Sequence, residues 1–202
     1  MAHFRQRQSS EWDKKKAIAP VAADLIEDAD ILLLDGGSTS YELARLLVDR
    51  PLQVVTNSLP VANLFSSQSD ADLIMVGGYV HSSSGVIRGA YAEEMLKTLN
   101  VQKTVLSAAG VSERGLFNNS HMLATTQSAM AKAAEQVIVL ADSTKFGHQS
   151  LAQVCALNEI DHLVVDQQLS KQWQEKLAEA GVTVHLAEIT ASAEINSDSL
   201  EQ

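Results

Sequence analysis

The run Asp35-Gly36-Gly37-Ser38-Thr39-Ser40 has the residue types of an anion cradle. Its glycines let the backbone turn tightly and let a ligand approach the main chain. A helix starting after them offers unpaired N–H groups and the positive end of its dipole. The hydroxyls of Ser38, Thr39 and Ser40 add neutral donors, and the whole suits a phosphate. The run lacks the Gly-Lys-Ser/Thr of a nucleotide-binding P-loop, and its glycine spacing is not that of a dinucleotide fingerprint. It also reads as a plain strand-to-helix turn with a serine or threonine cap.

Similar chemistry recurs along the chain. Thr56-Asn57-Ser58, Val76-Gly77-Gly78, Ser107-Ala108-Ala109-Gly110 and Ala141-Asp142-Ser143-Thr144-Lys145-Phe146-Gly147 each follow a short apolar run. Lys145 is the cation among them, able to meet a phosphate as a point charge. Asp35 and Asp142 are the carboxylates, and aspartates in such turns commonly accept loop N–H bonds. Other chemistry is thin. The six histidines show no ligand-like pairing in sequence, so no metal is expected, and no cofactor either. Cys155 is the single cysteine and reads as a small buried residue in a reducing compartment. No Gly-x-Ser-x-Gly elbow is present. Ser82-Ser83-Ser84-Gly85 reads as a flexible loop, and Arg88 stays outside the predicted site.

These segments need a frame that gathers strand ends. Runs at 31–34, 52–55, 73–76, 104–106, 137–140, 163–165 and 182–186 are mostly apolar throughout, as strands buried on both faces are. Helical segments alternate with them, at 17–27, 40–48, 58–67, 91–99, 122–136 and 171–180. Thr39-x-x-Glu42 predicts a capping box for the second helix, and Ser170 and Gly181 bracket the last. The fold class is α/β: a mostly parallel, Rossmann-like sheet flanked by helices, in one domain with or without a small lobe. In such sheets ligands bind beyond the carboxyl ends of the strands, where the glycine and hydroxyl runs fall.

Charge narrows the partners. The chain carries −10 overall, yet Arg5, Arg7, Lys14, Lys15 and Lys16 crowd its first sixteen residues beside Glu11 and Asp13. The remainder carries 10 basic against 23 acidic residues, which repels phosphodiester backbones. The basic start therefore reads as a solvated linker. With no apolar run of membrane-spanning length and no signal peptide, the expected location is cytoplasmic, with no membrane partner.

The ordered motifs resemble the C-terminal effector-sensing domain of DeoR-type transcription regulators. The resemblance rests on Asp13-Lys14-Lys15-Lys16-Ala17-Ile18-Ala19, the 34–39 loop, Val54-Val55-Thr56-Asn57-Ser58, Val76-Gly77-Gly78, Ala109-Gly110-Val111 and Ala141-Asp142-Ser143-Thr144-Lys145-Phe146-Gly147. It implies a fold related to ribose-5-phosphate isomerase, a phosphorylated sugar as effector, and a homo-oligomer, dimer or tetramer. By that resemblance the ligand would meet Asp35, Gly36, Gly37, Ser38, Thr39 and Ser40. Thr56, Asn57, Ser58, Gly77, Gly78, Gly110, Asp142 and Lys145 would complete the site. Residues 1–12 are then a linker remnant, 13–190 the sensor domain and 191–202 a disordered tail. DNA would be read only through an N-terminal helix-turn-helix that this sequence lacks.

Two rival functions remain. A sugar-phosphate isomerase needs a base beside the C–H it deprotonates; the segment 107–112, where the related isomerases carry an acidic run, has no acid, which favours binding over turnover. A pure oligomerisation module would have no use for the glycine and hydroxyl clusters.

Overall fold

A computed structural model describes residues 6, 9–68 and 71–189. The expected disordered tail, 191–202, lies outside the described residues, as does most of the expected linker remnant.

Seven parallel strands form the centre: β1 (Ile31–Leu34), β2 (Gln53–Thr56), β3 (Asp72–Met75), β6 (Val101–Ser107), β9 (Ala134–Leu140), β11 (His162–Asp166) and β12 (Thr183–Ala187). Their order across the sheet is β12-β11-β9-β6-β1-β2-β3. Each overlaps one of the apolar runs; the central strands are covered on both faces, while the edge strands β3 and β12 stay partly exposed. One layer, α1 (Trp12–Ala23), α2 (Ser38–Leu47) and α3 (Leu59–Gln68), packs Ile18, Leu43, Leu47 and Val61 onto Leu32, Leu34, Val54 and Val105. The other, α4 (Ala90–Leu96), α5 (His121–Lys132) and α6 (Lys171–Glu179), packs Leu96, Met130 and Leu177 near Leu33, Leu106 and Val139. At the amino ends of the strands, Lys103 Nζ pairs with Asp30 Oδ2 at 2.7 Å.

The shorter strands were not visible as apolar runs. β4 (Tyr79–His81) and β5 (Val86–Arg88) make an antiparallel hairpin, while β7 (Gly110–Ser112), β8 (Gly115–Asn118) and β10 (Ala152–Cys155) make a small antiparallel sheet. Their few residues mix apolar side chains with glycine and polar ones, so they form no apolar run and are too short to show alternation.

The helices occupy the expected segments with shifted ends. Helix α1 begins at Trp12, ahead of the expected 17, and continues through Pro20 to Ala23. Helix α5 stops at Lys132 because Ala134 already belongs to β9. Helix α6 is capped as expected, Ser170 Oγ accepting from Trp173 N at 3.4 Å. The capping box on α2 is not formed: the helix starts at Ser38, its N-cap is Gly37, and no side chain caps it. Thr39 and Glu42 lie inside the helix, where Glu42 instead takes Arg45 at 3.1 Å.

Candidate functional site

The sheet reverses its winding between β1 and β6, since β2 and β3 lie beyond one and β9, β11 and β12 beyond the other. Loops leaving neighbouring strands at such a point diverge to opposite faces and open a crevice. A cavity of about 260 Å³ lies there. The ends of β1 (Asp35, Gly36, Gly37, with Ser38 and Thr39 of α2), of β6 (Ser107, Ala108, Ala109) and of β9 (Ala141, Asp142, Lys145) all line it. The β4–β5 hairpin contributes His81, Ser83, Ser84, Val86 and Arg88.

The glycines act here through their bareness. Neither Gly36 nor Gly37 has a positive φ. A Cβ on Gly37 would lie 1.6 Å from Ser107 Oγ, and one on Gly36 would lie 2.3 Å from Val86 Cγ2. Their absent side chains let β6 and the hairpin close on the loop. The uncapped first turn of α2 meets the same cavity, so a ligand can supply the acceptor that no side chain does.

Asp35 anchors the floor of the site. It is 2% exposed, and its Oδ2 accepts from Ser107 Oγ and Gln127 Nε2, both at 2.8 Å. Gln127 accepts in turn from Asn118 Nδ2 at 2.9 Å. The other carboxylate oxygen, Oδ1, is buried without a hydrogen-bond partner among the described residues. An ionised carboxylate only accepts, so Oδ1 calls for a donor such as a hydroxyl. Asp142 is committed locally: its Oδ1 takes the backbone N–H of Thr144 at 3.1 Å and the Thr144 hydroxyl, capping a 3-10 turn (Ser143–Lys145), and its Oδ2 lies 3.6 Å from Lys145 Nζ.

Lys15, Arg88 and Lys145 bring cations to the lining. Arg88 Nη1 donates to Ser120 Oγ at 2.8 Å, while its Nε is buried without a partner among the described residues. Lys15 is only 4% exposed. The basic start is thus not uniformly solvated, and Ser10, within the segment expected to be linker, also reaches the lining.

Of the predicted site residues, Asp35, Gly36, Gly37, Ser38, Thr39, Asp142 and Lys145 come together around the cavity, and the rest are placed elsewhere. Ser40 is buried inside α2. Thr56, Asn57 and Ser58 are fully buried behind the site. Thr56 Oγ1 donates to the Leu34 carbonyl at 2.7 Å, and Asn57 Nδ2 to the Ile87 carbonyl at 3.0 Å. Ser58 Oγ accepts from Val61 N at 3.4 Å. Gly77 and Gly78 join β3 to β4, Gly78 lying against Ile87 and Ala92. Gly110 sits in β7 against the His148 carbonyl.

Sequence reasoning missed Lys15, His81, Arg88, Asn118 and Gln127 in the lining. Two had a usable signal. Lys15 falls in register with Ile18, Ala19 and Ala22, and Gln127 with Ala124 and Met130, so each is a polar residue on a buried helical stripe. The hairpin residues lacked one, because its strands are too short to read.

Other titratable groups stand apart from the cavity. His162 Nδ1 and His185 Nε2 lie 3.2 Å apart across β11 and β12, a pairing that sequence spacing concealed. Burial, and then the neighbouring His162, lower the pKa of His185. Among the described residues no group of three or more metal-ligating side chains forms. Burial pushes the Cys155 thiol up to about 12, in keeping with an inert core cysteine. No helix among the described residues is long and apolar enough to cross a membrane.

Comparison with known proteins bears on the family and the fold. The family model described as the DeoR C terminal sensor domain matches residues 10–167. An uncharacterized HTH-type transcriptional regulator of Bacillus subtilis, YulB, is 31% identical over 90% of this chain and 71% of its own length. A putative aga operon transcriptional repressor of Escherichia coli O157:H7 is 31% identical over 85% of this chain and 65% of its own. Among solved structures, ribose 5-phosphate isomerase A of Methanocaldococcus jannaschii superposes with a TM-score of 0.51 at 19% identity, over 68% of this chain and 55% of that one, a likeness of fold alone.

Proposed function

The chain belongs to the DeoR C-terminal sensor domain family, a regulatory and not an enzymatic family, and from that premise we propose that its cavity holds a phosphorylated sugar whose binding controls DNA recognition elsewhere in the regulator. The convergence of three strand ends at the point where the sheet reverses carries this reading. It sets a helix start and a buried carboxylate oxygen, each without a side-chain partner among the described residues, and three cations around one cavity of about 260 Å³. The phosphate sits at the 36–39 loop, where backbone N–H groups and the α2 dipole meet its charge, and Lys145 adds a point charge. Asp35 Oδ1 accepts from a sugar hydroxyl. Such a division suits a phosphosugar better than a bare anion, which Asp35 would repel.

The acid-free segment 107–112 provides no base in the position where the isomerases carry theirs, and Asp35 is held by Ser107 and Gln127 in an accepting role. DNA contact belongs to a helix-turn-helix module outside the sensor, and self-association as a dimer or tetramer would carry the signal to paired DNA half-sites. Thermal denaturation with a panel of sugar phosphates tests the effector class. A true effector at a hundredfold excess over its dissociation constant adds about 2.7 kcal/mol to apparent stability. Unphosphorylated sugars should add little. Equal stabilisation by sugars with and without phosphate would refute the phosphate assignment.

A further inference from the structure

Lys15 ties the cavity to the chain ahead of α1. Its ammonium donates to the Ser10 carbonyl at 2.5 Å, with the Ser10 hydroxyl at 3.4 Å, and both residues line the cavity. Between them Glu11 has φ 50 and ψ 39, a left-handed conformation that non-glycine residues seldom adopt, and α1 has no side-chain cap. The Lys15–Ser10 contact therefore ties a left-handed turn to the cavity wall, beside the Ser10 N–H bond to the Gln6 carbonyl at 3.2 Å and the Lys14–Glu11 ion pair at 3.3 Å. One residue away, Lys14 Nζ donates to Ser143 Oγ at 3.1 Å, fastening α1 to the loop that carries Asp142 and Lys145.

We propose that Lys15 transmits ligand binding to the segment ahead of α1, because a bound phosphate draws its ammonium away from the Ser10 carbonyl. A lysine offers only donors, and a phosphate oxygen bearing formal charge is a stronger acceptor than a neutral carbonyl. Occupying the cavity pulls Lys15 toward the anion and loosens the turn at Ser10–Glu11, while Lys14 keeps the body of α1 in place. The ligand then differs in its interaction with two arrangements of this turn, which is what a population shift requires. This inference rests on the phosphosugar reading of the cavity.

The chain contains two tryptophans, Trp12 and Trp173. Trp12 starts α1 beside Glu11, with Lys16 Nζ 4.8 Å from its ring centroid, and so reports on the turn. Trp173→Phe keeps a ring against Phe146 and leaves Trp12 as the sole indole. Ribose 5-phosphate, inorganic phosphate and the sugar-phosphate panel are titrated, following Trp12 fluorescence and thermal midpoint on the same samples, with amide hydrogen exchange over 10–15 in the unaltered chain. The expected result is a Trp12 change that saturates with the thermal shift, and faster exchange at 10–15. Lys15→Met should weaken phosphosugar binding about tenfold or more and abolish the Trp12 change at saturation. Lys145→Gln should weaken binding but retain that change. A thermal shift with Trp12 and exchange both unmoved overturns the coupling and leaves the phosphosugar reading standing, as does full Trp12 response in Lys15→Met. No thermal shift with any phosphate compound overturns both. If Lys15→Met does not fold, exchange in the unaltered chain decides.

Discussion

The strand ends after β1 and β2 look alike in sequence, yet they do different work. Asp35-Gly36-Gly37-Ser38-Thr39 and Thr56-Asn57-Ser58 each follow an apolar strand, carry small polar residues and lead into a helix. The strands pair in register, Leu34 opposite Thr56. The first end lies on the cavity; the second is fully buried. Position in the sheet separates them. β1 borders β6 at the reversal, whereas β2 lies one strand further out, where the β4–β5 hairpin folds across it: Asn57 bonds Ile87 from both its side chain and its backbone carbonyl, at 3.0 and 2.7 Å. Small polar groups that face the cavity at one end therefore have counterparts that clamp backbone at the other.

The largest break in this comparison should come from Gly37→Ala. The new methyl would fall 1.6 Å from Ser107 Oγ and force that side chain off Asp35. Overpacking of this kind costs about 1–3 kcal/mol, and disturbing Asp35 should abolish sugar-phosphate binding as well. Chemical denaturation and thermal shift measure the two losses; near-wild-type affinity would show that the loop tolerates movement of β6. Next is Asn57→Ala, which leaves the buried Ile87 carbonyl without its side-chain donor, a loss of about 1–3 kcal/mol. Binding should survive at low temperature, since Asn57 is not in the lining. Lys145→Gln reverses the pattern: stability should barely change, because the lysine is about one-third exposed, while affinity for a phosphosugar drops about tenfold.

How the sequence could and could not separate the two ends follows from the same residues. Two-sided burial makes the central parallel strands legible as apolar runs, the partly exposed edge strands β3 and β12 are apolar enough to follow, and alternation with helices implies a ligand beyond their carboxyl ends. Thr56-Asn57-Ser58 was grouped with the site because a buried hydroxyl clamp and a ligand-facing hydroxyl have the same local spelling. Their difference depends on strand order and on a hairpin of three-residue strands, neither of which is a local property. Arg88, which beside Gly89 could reach a phosphate by sequence alone, and His81 reach the cavity only through that hairpin. Among five cations in the first sixteen residues, Lys15 reads as part of a charge run. Its register with Ile18, Ala19 and Ala22 held the contrary information, a cation on a buried stripe.

The finest test of the comparison is Thr56→Val, which keeps the side-chain shape and removes only the hydroxyl. That hydroxyl donates to the Leu34 carbonyl at 2.7 Å and accepts from Ser58 N at 3.1 Å. Its loss leaves the buried Leu34 carbonyl and Ser58 N–H each short of a partner and should cost about 1–3 kcal/mol of stability, while its effect on affinity should be the smallest of the set. Leu34 directly precedes Asp35, so the bond holds the last turn of backbone before the cavity without touching what occupies it. Denaturant midpoint should therefore fall while the dissociation constant for a phosphosugar stays within about twofold, or about 0.4 kcal/mol. A tenfold loss of affinity at unchanged stability would place Thr56 against the ligand after all, and the two strand ends would form one site rather than a site and its clamp.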